Sequence, residues 1–185
     1  MIRWIASYPK SGNTWVRLFL MAYADPGAFD LNQRSADHTQ DTNADVYEQV
    51  AAAELQCLSD AEARLLRGAV LVRLSRLAKA NSGGPAYLKT HSANVTVNGL
   101  AWIPPDFTDR SLCILRDPRD VAVSLADHLG LGLDAAIDVL GDTQRKLDRG
   151  FGGVHVPLMS WSMHVGSWLR DLPYDQMAVR YEDLA

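Results

Sequence analysis

The stretch from Ile2 to Trp15 constrains this chain more than any other. Ile2 to Ser7 (IRWIAS) is a short apolar run stopped by Tyr8-Pro9. It reads as a buried strand. Thr14 to Ala24 (TWVRLFLMAYA) places Trp15, Leu18, Phe19 and Ala22 at helical spacing, and Asp25-Pro26-Gly27 ends it. It reads as a helix. The loop between them is Tyr8-Pro9-Lys10-Ser11-Gly12-Asn13. A strand that runs through a glycine turn into a helix makes an anion site. The first helical N–H groups have no partner, and the helix dipole adds partial positive charge. Gly12 lets the backbone approach an anion, Lys10 brings a mobile charge, and Ser11, Asn13 and Thr14 bring further donors. No Gly-Lys-Ser/Thr follows, so the loop is not the Walker A turn of ATP and GTP hydrolases. A plain strand–helix turn with a surface lysine would look the same in isolation.

The rest of the chain repeats the alternation. Asp45 to Leu58 carries helical signal, and Ser59-Asp60-Ala61-Glu62 has capping-box spacing ahead of a helix to about Ala80. Asn81 to Pro85 is a break. Ala86 to Thr90 reads as a second strand running into His91, and Ser111 to Leu115 as a third, ending at Arg116-Asp117-Pro118. Helices are expected over Arg119–Leu129, Leu133–Leu147 and Leu158–Arg170, with a fourth strand over Met177–Tyr181. Strands separated by helices predict one α/β domain over residues 1–185: a three-layer fold with a mostly parallel central sheet and helices on both faces.

Composition removes several function classes. The chain has 185 residues, 18 Lys plus Arg against 22 Asp plus Glu, and a net charge of −4. That disfavours a broadly basic nucleic-acid binder. No apolar run approaches the roughly 20 residues of a membrane span, and no cleavable leader pattern opens the chain. Cys57 and Cys113 stand far apart without a CxxC spacing, as two packed thiols of a cytoplasmic, reducing compartment would. No metal-ligand pattern is present.

Five segments, in order, resemble PAPS-dependent sulfotransferases (PAPS is 3′-phosphoadenosine 5′-phosphosulfate). Tyr8-Pro9-Lys10-Ser11-Gly12-Asn13-Thr14-Trp15 resembles the 5′-phosphosulfate loop YPKSGTTW, with Asn13 in place of a threonine. Leu88-Lys89-Thr90-His91 resembles the strand-end KTH. Arg116 to Ser124 (RDPRDVAVS) resembles the 3′-phosphate motif RNPKDVAVS. Trp161 to Val165 resembles the WxxHV helix, and Arg180 to Leu184 (RYEDL) the KYEDM strand end. The resemblance implies a P-loop-like fold and PAPS as sulfuryl donor, with no metal.

It also implies roles. His91 would be the general base, which suits an imidazole that titrates near neutral pH. Lys10 would neutralise charge on the leaving phosphate oxygen and Lys89 would stabilise the transferring group. Strand alternation puts Lys89 and His91 on one face and Thr90 on the other. Lys10, Ser11, Gly12, Asn13, Thr14, Trp15 and Tyr181 would bind the nucleotide, while Arg116 and Ser124 would grip its 3′-phosphate. A guanidinium does that with paired donors. Arg119 and Asp120 read as surface charges, and His164 as helix packing.

The acceptor would be a small hydroxyl or amine compound. Its pocket is expected from residues 25–60, the loop after His91 and Gly150–Pro157, with Trp102, Phe107, Phe151 and Tyr87 as apolar walls. Family members continue past the KYEDM-like strand to an RKGxxGDWK segment that also holds the 3′-phosphate. This sequence stops at Ala185, so weakened PAPS affinity is expected, together with an exposed apolar face that invites homodimerisation. Two other classes stay open: a P-loop kinase using ATP and Mg²⁺, and a non-catalytic nucleotide-binding remnant.

Overall fold

The computed structural model describes residues 1–24, 40–82, 86–147 and 154–184. Four parallel strands form its sheet: β1 (Ile2–Ser7), β2 (Ala86–Thr90), β5 (Thr108–Leu115) and β8 (Asp175–Arg180), in spatial order β2-β1-β5-β8. β1 is central. It pairs Trp4 with Leu88 on one side and with Ser111 on the other. The chain thus leaves β1 for β2 in one direction and reaches β5 on the opposite side. A crevice opens between β1 and β5 beyond their carboxyl ends, where α/β proteins bind ligands.

The helices are α1 (Asn13–Ala24), α2 (Ala44–Ala51), α3 (Asp60–Ser82), α4 (Pro118–Leu129), α5 (Leu133–Gly141) and α6 (Trp161–Leu169). Their starts follow local chemistry. Ser59 and Glu62 form the predicted capping box, with Ser59 N donating to Glu62 Oε2 at 2.8 Å and Glu62 N to Ser59 Oγ at 3.3 Å. Asp117 caps α4 by accepting from Arg119 N, and Pro118 takes the first turn, where no N–H is needed. Gly130 ends α4 in the left-handed conformation.

Strand alternation sorts the core into layers. Trp4, Ala6, Leu88 and Cys113 pack with Val46 and Tyr47 of α2, Leu71 and Leu74 of α3, and Trp168 of α6. Ile5 and Ile114 point to the other face, against Val16 of α1. A third cluster joins Tyr8 and Leu158 to Val121, Ala122 and Leu125 of α4 and Leu140 of α5. Each fully buried large side chain contributes about 1.5–3 kcal/mol. The expected three-layer α/β architecture is present.

Several details differ from the sequence reading. The helix predicted to run to Leu147 ends at Gly141, and Lys146–Leu147 (β6) pairs antiparallel with Val156–Pro157 (β7). A second small hairpin, β3 (Thr96–Val97) with β4 (Leu100–Ala101), was not anticipated. The third strand starts earlier, at Thr108, whose hydroxyl accepts the Trp4 indole N–H at 2.9 Å. α1 has the expected helical period. Asn13 and Val16 point inward, while Trp15, Phe19 and Tyr23 stack on one another along the exposed side. Cys113 is buried, with its thiol pushed up to about 12 by desolvation, but Cys57 is exposed rather than packed.

Candidate functional site

A cleft of about 660 Å³ opens over the carboxyl ends of the strands. It gathers Lys10, Gly12, Asn13, Thr14 and Trp15 from the first loop and helix start, Lys89 and His91 from the end of β2, Arg116 and Ser124 from β5 and α4, and Tyr181 from the end of β8. Of the sequence-predicted site residues, Ser11 alone is outside this lining; it is buried just beneath it.

The loop owes its shape to two left-handed residues, Lys10 (φ 67°) and Gly12 (φ 93°). Such turns aim successive N–H groups into one concavity, an arrangement that suits an anion. Gly12 has a second reason to lack a side chain: a Cβ there would lie 2.5 Å from Tyr181 Cδ2. Tyr181 in turn stacks under Arg116, with Cζ 4.4 Å from the ring centroid. Arg116 Nη1 donates to the Lys10 carbonyl at 2.7 Å. Gly12, Tyr181, Arg116 and Lys10 therefore form one braced unit across β1, β5 and β8. Asn13 turns inward. Its side-chain N–H₂ donates to Ile5 O at 2.9 Å and Ser7 Oγ at 3.1 Å. That amide supports the end of β1 and leaves the backbone N–H as the donor Asn13 offers the cleft.

His91 is half-buried. Its Nδ1 lies 2.8 Å from Ser7 O. A carbonyl can only accept, so Nδ1 carries the proton and Nε2 keeps the lone pair. Burial pushes the His91 pKa down to about 3, with the nearby Lys89 charge acting the same way and the Ser7 bond opposing it. The ring is therefore neutral at pH 7, and it titrates well below the near-neutral range expected of it. Lys89 Nζ reaches toward Gln40 Oε1 at 3.5 Å. Thr90 faces away, as alternation requires, and donates to Asp41 Oδ2 at 3.0 Å. Arg119 is exposed and bound to Asp117, the surface pair expected of it. His164 is buried in α6 edge-on to Tyr8, with Nε2 3.2 Å from His91 O.

The wall of the cleft made by α4, α5 and the β6–β7 hairpin is mostly apolar, with His128 and Arg145 set among its residues. Leu125 and Leu129 of α4, Val139 of α5, Leu147 of β6, Val156 of β7 and Leu158 line it. This corrects the expected walls. Trp102 is buried beneath Arg67, Phe107 packs on the main core, and Tyr87 is exposed and accepts from Arg3. Phe151 lies outside the described residues. Gln40, Asp41 and Thr42 line the cleft from within the expected residues 25–60, and Val154 and Val156 from within Gly150–Pro157, whereas Arg145 was not anticipated; no motif or period marks it. Among the described residues no group of three His, Cys, Asp or Glu could hold a metal ion. Among the same residues no helix is long and apolar enough to cross a membrane.

A glycine loop on the central strand, basic residues on neighbouring strand ends and a parallel sheet define a P-loop-like α/β protein. Residues 3–185 match the sequence profile of the sulfotransferase domain, and the chain belongs to that family. No curated protein matches it by sequence. Among solved structures it resembles mouse sulfotransferase SULT7A1 complexed with PAP, at TM-score 0.52 and 17% identity over 99% of this chain and 52% of that one. It also resembles a retinol dehydratase in complex with androsterone and inactive cofactor PAP, at TM-score 0.54 and 19% identity over 98% of this chain and 54% of that one. The chain thus spans about half the length of the solved relatives it matches.

Proposed function

We propose that this chain carries the donor site and base of a PAPS-dependent sulfotransferase acting on an apolar hydroxyl or amine compound. One observation carries the reading: residues far apart in sequence converge so that one cleft sets basic side chains beside the glycine loop and faces a mostly apolar wall. The residues present fit a nucleotide with phosphates at both ends. Beside the loop, Ser11 Oγ and Arg116 Nε are buried without a partner, although buried polar groups are ordinarily satisfied. Lys10 and the α1 N-terminus would hold the 5′ end. Arg116 and Ser124 would hold the 3′-phosphate, with Tyr181 backing Arg116 and the exposed Trp15 ring beside the base.

When bound, PAPS supplies a sulfuryl group on a phosphate leaving oxygen. His91 Nε2 takes the proton from the attacking hydroxyl or amine, and Ser7 O holds the ring in the one tautomer that can do so. Lys89 and Lys10 place positive charge where peripheral and leaving oxygens gain negative charge. The walls of α4, α5 and the β6–β7 hairpin take the acceptor body and exclude water from it.

Calorimetry tests the donor half. Adenosine 3′,5′-bisphosphate should bind without Mg²⁺ and ATP–Mg²⁺ should not. The reverse order would make the site a kinase. Transfer of labelled sulfate to a panel of apolar alcohols and amines tests the rest; bisphosphate binding without any transfer would leave a nucleotide-binding module.

A further inference from the structure

β2 is an edge strand of the sheet, and its end carries Lys89 and His91. Edge-strand ends fray unless something ties them. Here the stretch from Lys89 to Ser92 is tied at almost every polar group. Asp41 N donates to Lys89 O at 3.1 Å. Asp41 Oδ2 accepts from Thr90 Oγ1 at 3.0 Å, and the same hydroxyl accepts from Ser92 N at 3.0 Å. Ser92 O accepts from the Trp168 indole at 3.0 Å, and Ser92 Oγ from the Trp102 indole at 2.8 Å. Behind them sits Arg67 of α3. Its Nη2 donates to Asp41 Oδ2 at 2.7 Å, its Nε donates to Trp102 O at 2.6 Å, and its guanidinium lies 4.3 Å from the Trp102 ring centroid. The Arg67 and Asp41 side chains are 4% and 2% exposed.

A buried ion pair of this kind adds little net stability compared with apolar residues of the same size. α3 is already held to the sheet by Val70, Leu71 and Leu74. What the pair adds is direction. A carboxylate held from behind by a guanidinium that is itself anchored on the Trp102 carbonyl can fix Thr90, and Thr90 sets the strand end on either side of it. We propose that Asp41 and Arg67 are positioning residues, which hold the end of β2 so that Lys89 and His91 project together into the cleft. The proposal rests on the reading of His91 as the base, so one arm of its test is independent of turnover.

The test uses the whole chain with Asp41→Asn and Arg67→Met combined, which removes both charges and keeps both volumes. Thr90→Val cuts the same connection at its last link and leaves the Asp41–Arg67 ion pair intact, so it serves if the double variant does not fold. The first readout is the ¹H–¹⁵N spectrum of the His91 ring, assigned with His91→Ala. The native ring should show one neutral tautomer protonated on Nδ1, and in the variants it should become a mixture of the two. The second is the split of kinetic effects. kcat should fall about tenfold or more, as expected for reacting groups displaced by an ångström or less, while the Kd for adenosine 3′,5′-bisphosphate stays within about threefold. Native ring signals in the folded variants overturn the proposal. So does a kcat unchanged per folded molecule, which would leave the pair structural only. If the native chain transfers no sulfate but its His91 tautomer still depends on Asp41 and Arg67, the positioning stands and the functional reading fails.

Discussion

At the residue scale, the chemistry turns on which nitrogen of His91 is free. Because Nδ1 is committed to Ser7 O at 2.8 Å, Nε2 is the atom that can take a proton. His91→Ala should therefore cut sulfuryl transfer about a hundredfold or more, the usual worth of a positioned base. Affinity for adenosine 3′,5′-bisphosphate should stay within about threefold, since the loop and Arg116 are untouched. Rates and calorimetry on the same preparation check both halves, and near-native transfer would remove His91 from the mechanism. Arg116 makes a subtler case. The resemblance presents it as a phosphate ligand, whereas the structure also shows it donating to Lys10 O and stacked on Tyr181. Arg116→Ala should then weaken PAPS by about 10- to 100-fold, the value of a charged hydrogen bond. Adenosine 5′-phosphosulfate, which lacks the 3′-phosphate, should lose only a fewfold through the loosened loop. Equal losses for the two would mean that Arg116 acts through Lys10 alone.

At the element scale, the strand–loop–helix unit was legible because its signals are local: an apolar run, a glycine turn, a helical period. The capping box at Ser59 was legible for the same reason. The buried face of α1 was not. Apolar period alone cannot say which side meets the sheet, and Trp15, Phe19 and Tyr23 spend their surface stacking on one another outside. The β6–β7 hairpin was missed because two-residue strands carry no period at all. Tertiary contact also sets the demand for glycine at position 12. Its φ of 93° and the Tyr181 ring 2.5 Å from a notional Cβ exclude any side chain there. Gly12→Ala should destabilise the fold by about 1–3 kcal/mol, and it should displace Tyr181, so nucleotide affinity falls as well. Adding Tyr181→Ala should restore part of the stability and none of the affinity. Urea midpoints and calorimetry on the single and double variants check the pairing; full recovery of binding would mean that Tyr181 does nothing for the nucleotide.

At the scale of the whole molecule, the legible part of the site was the part written in contiguous motifs, each delivered to the cleft by the end of one parallel strand. The illegible part was what those ends lean on. Asp41, Arg67 and Trp102 lie in three separate segments and meet only in the tertiary fold, so no spacing announces them. His164 belongs to the same support. It was read as packing, and it does pack, yet it also sits at hydrogen-bond distance from His91 O. The two rings share a consequence for the fold as a unit. Burial lowers both His91 and His164 from 6.5 to about 3. In the unfolded chain each takes its proton near pH 6.5, and in the folded chain only near 3. Between those values the unfolded state holds more protons, so stability is complete above pH 6.5 and is lost progressively as pH falls toward 3. Each histidine should cost about 1.4 kcal/mol per pH unit in that window. The range from pH 6 to 4.5 isolates them, because most carboxylates stay ionised there. Urea midpoints should fall steeply across it, and His164→Gln, which keeps an N–H for His91 O but cannot titrate, should remove about half of the slope. An unchanged slope in that variant would mean that the His164 ring is protonated inside the fold, and that the interior behind the candidate base is wetter than its packing indicates.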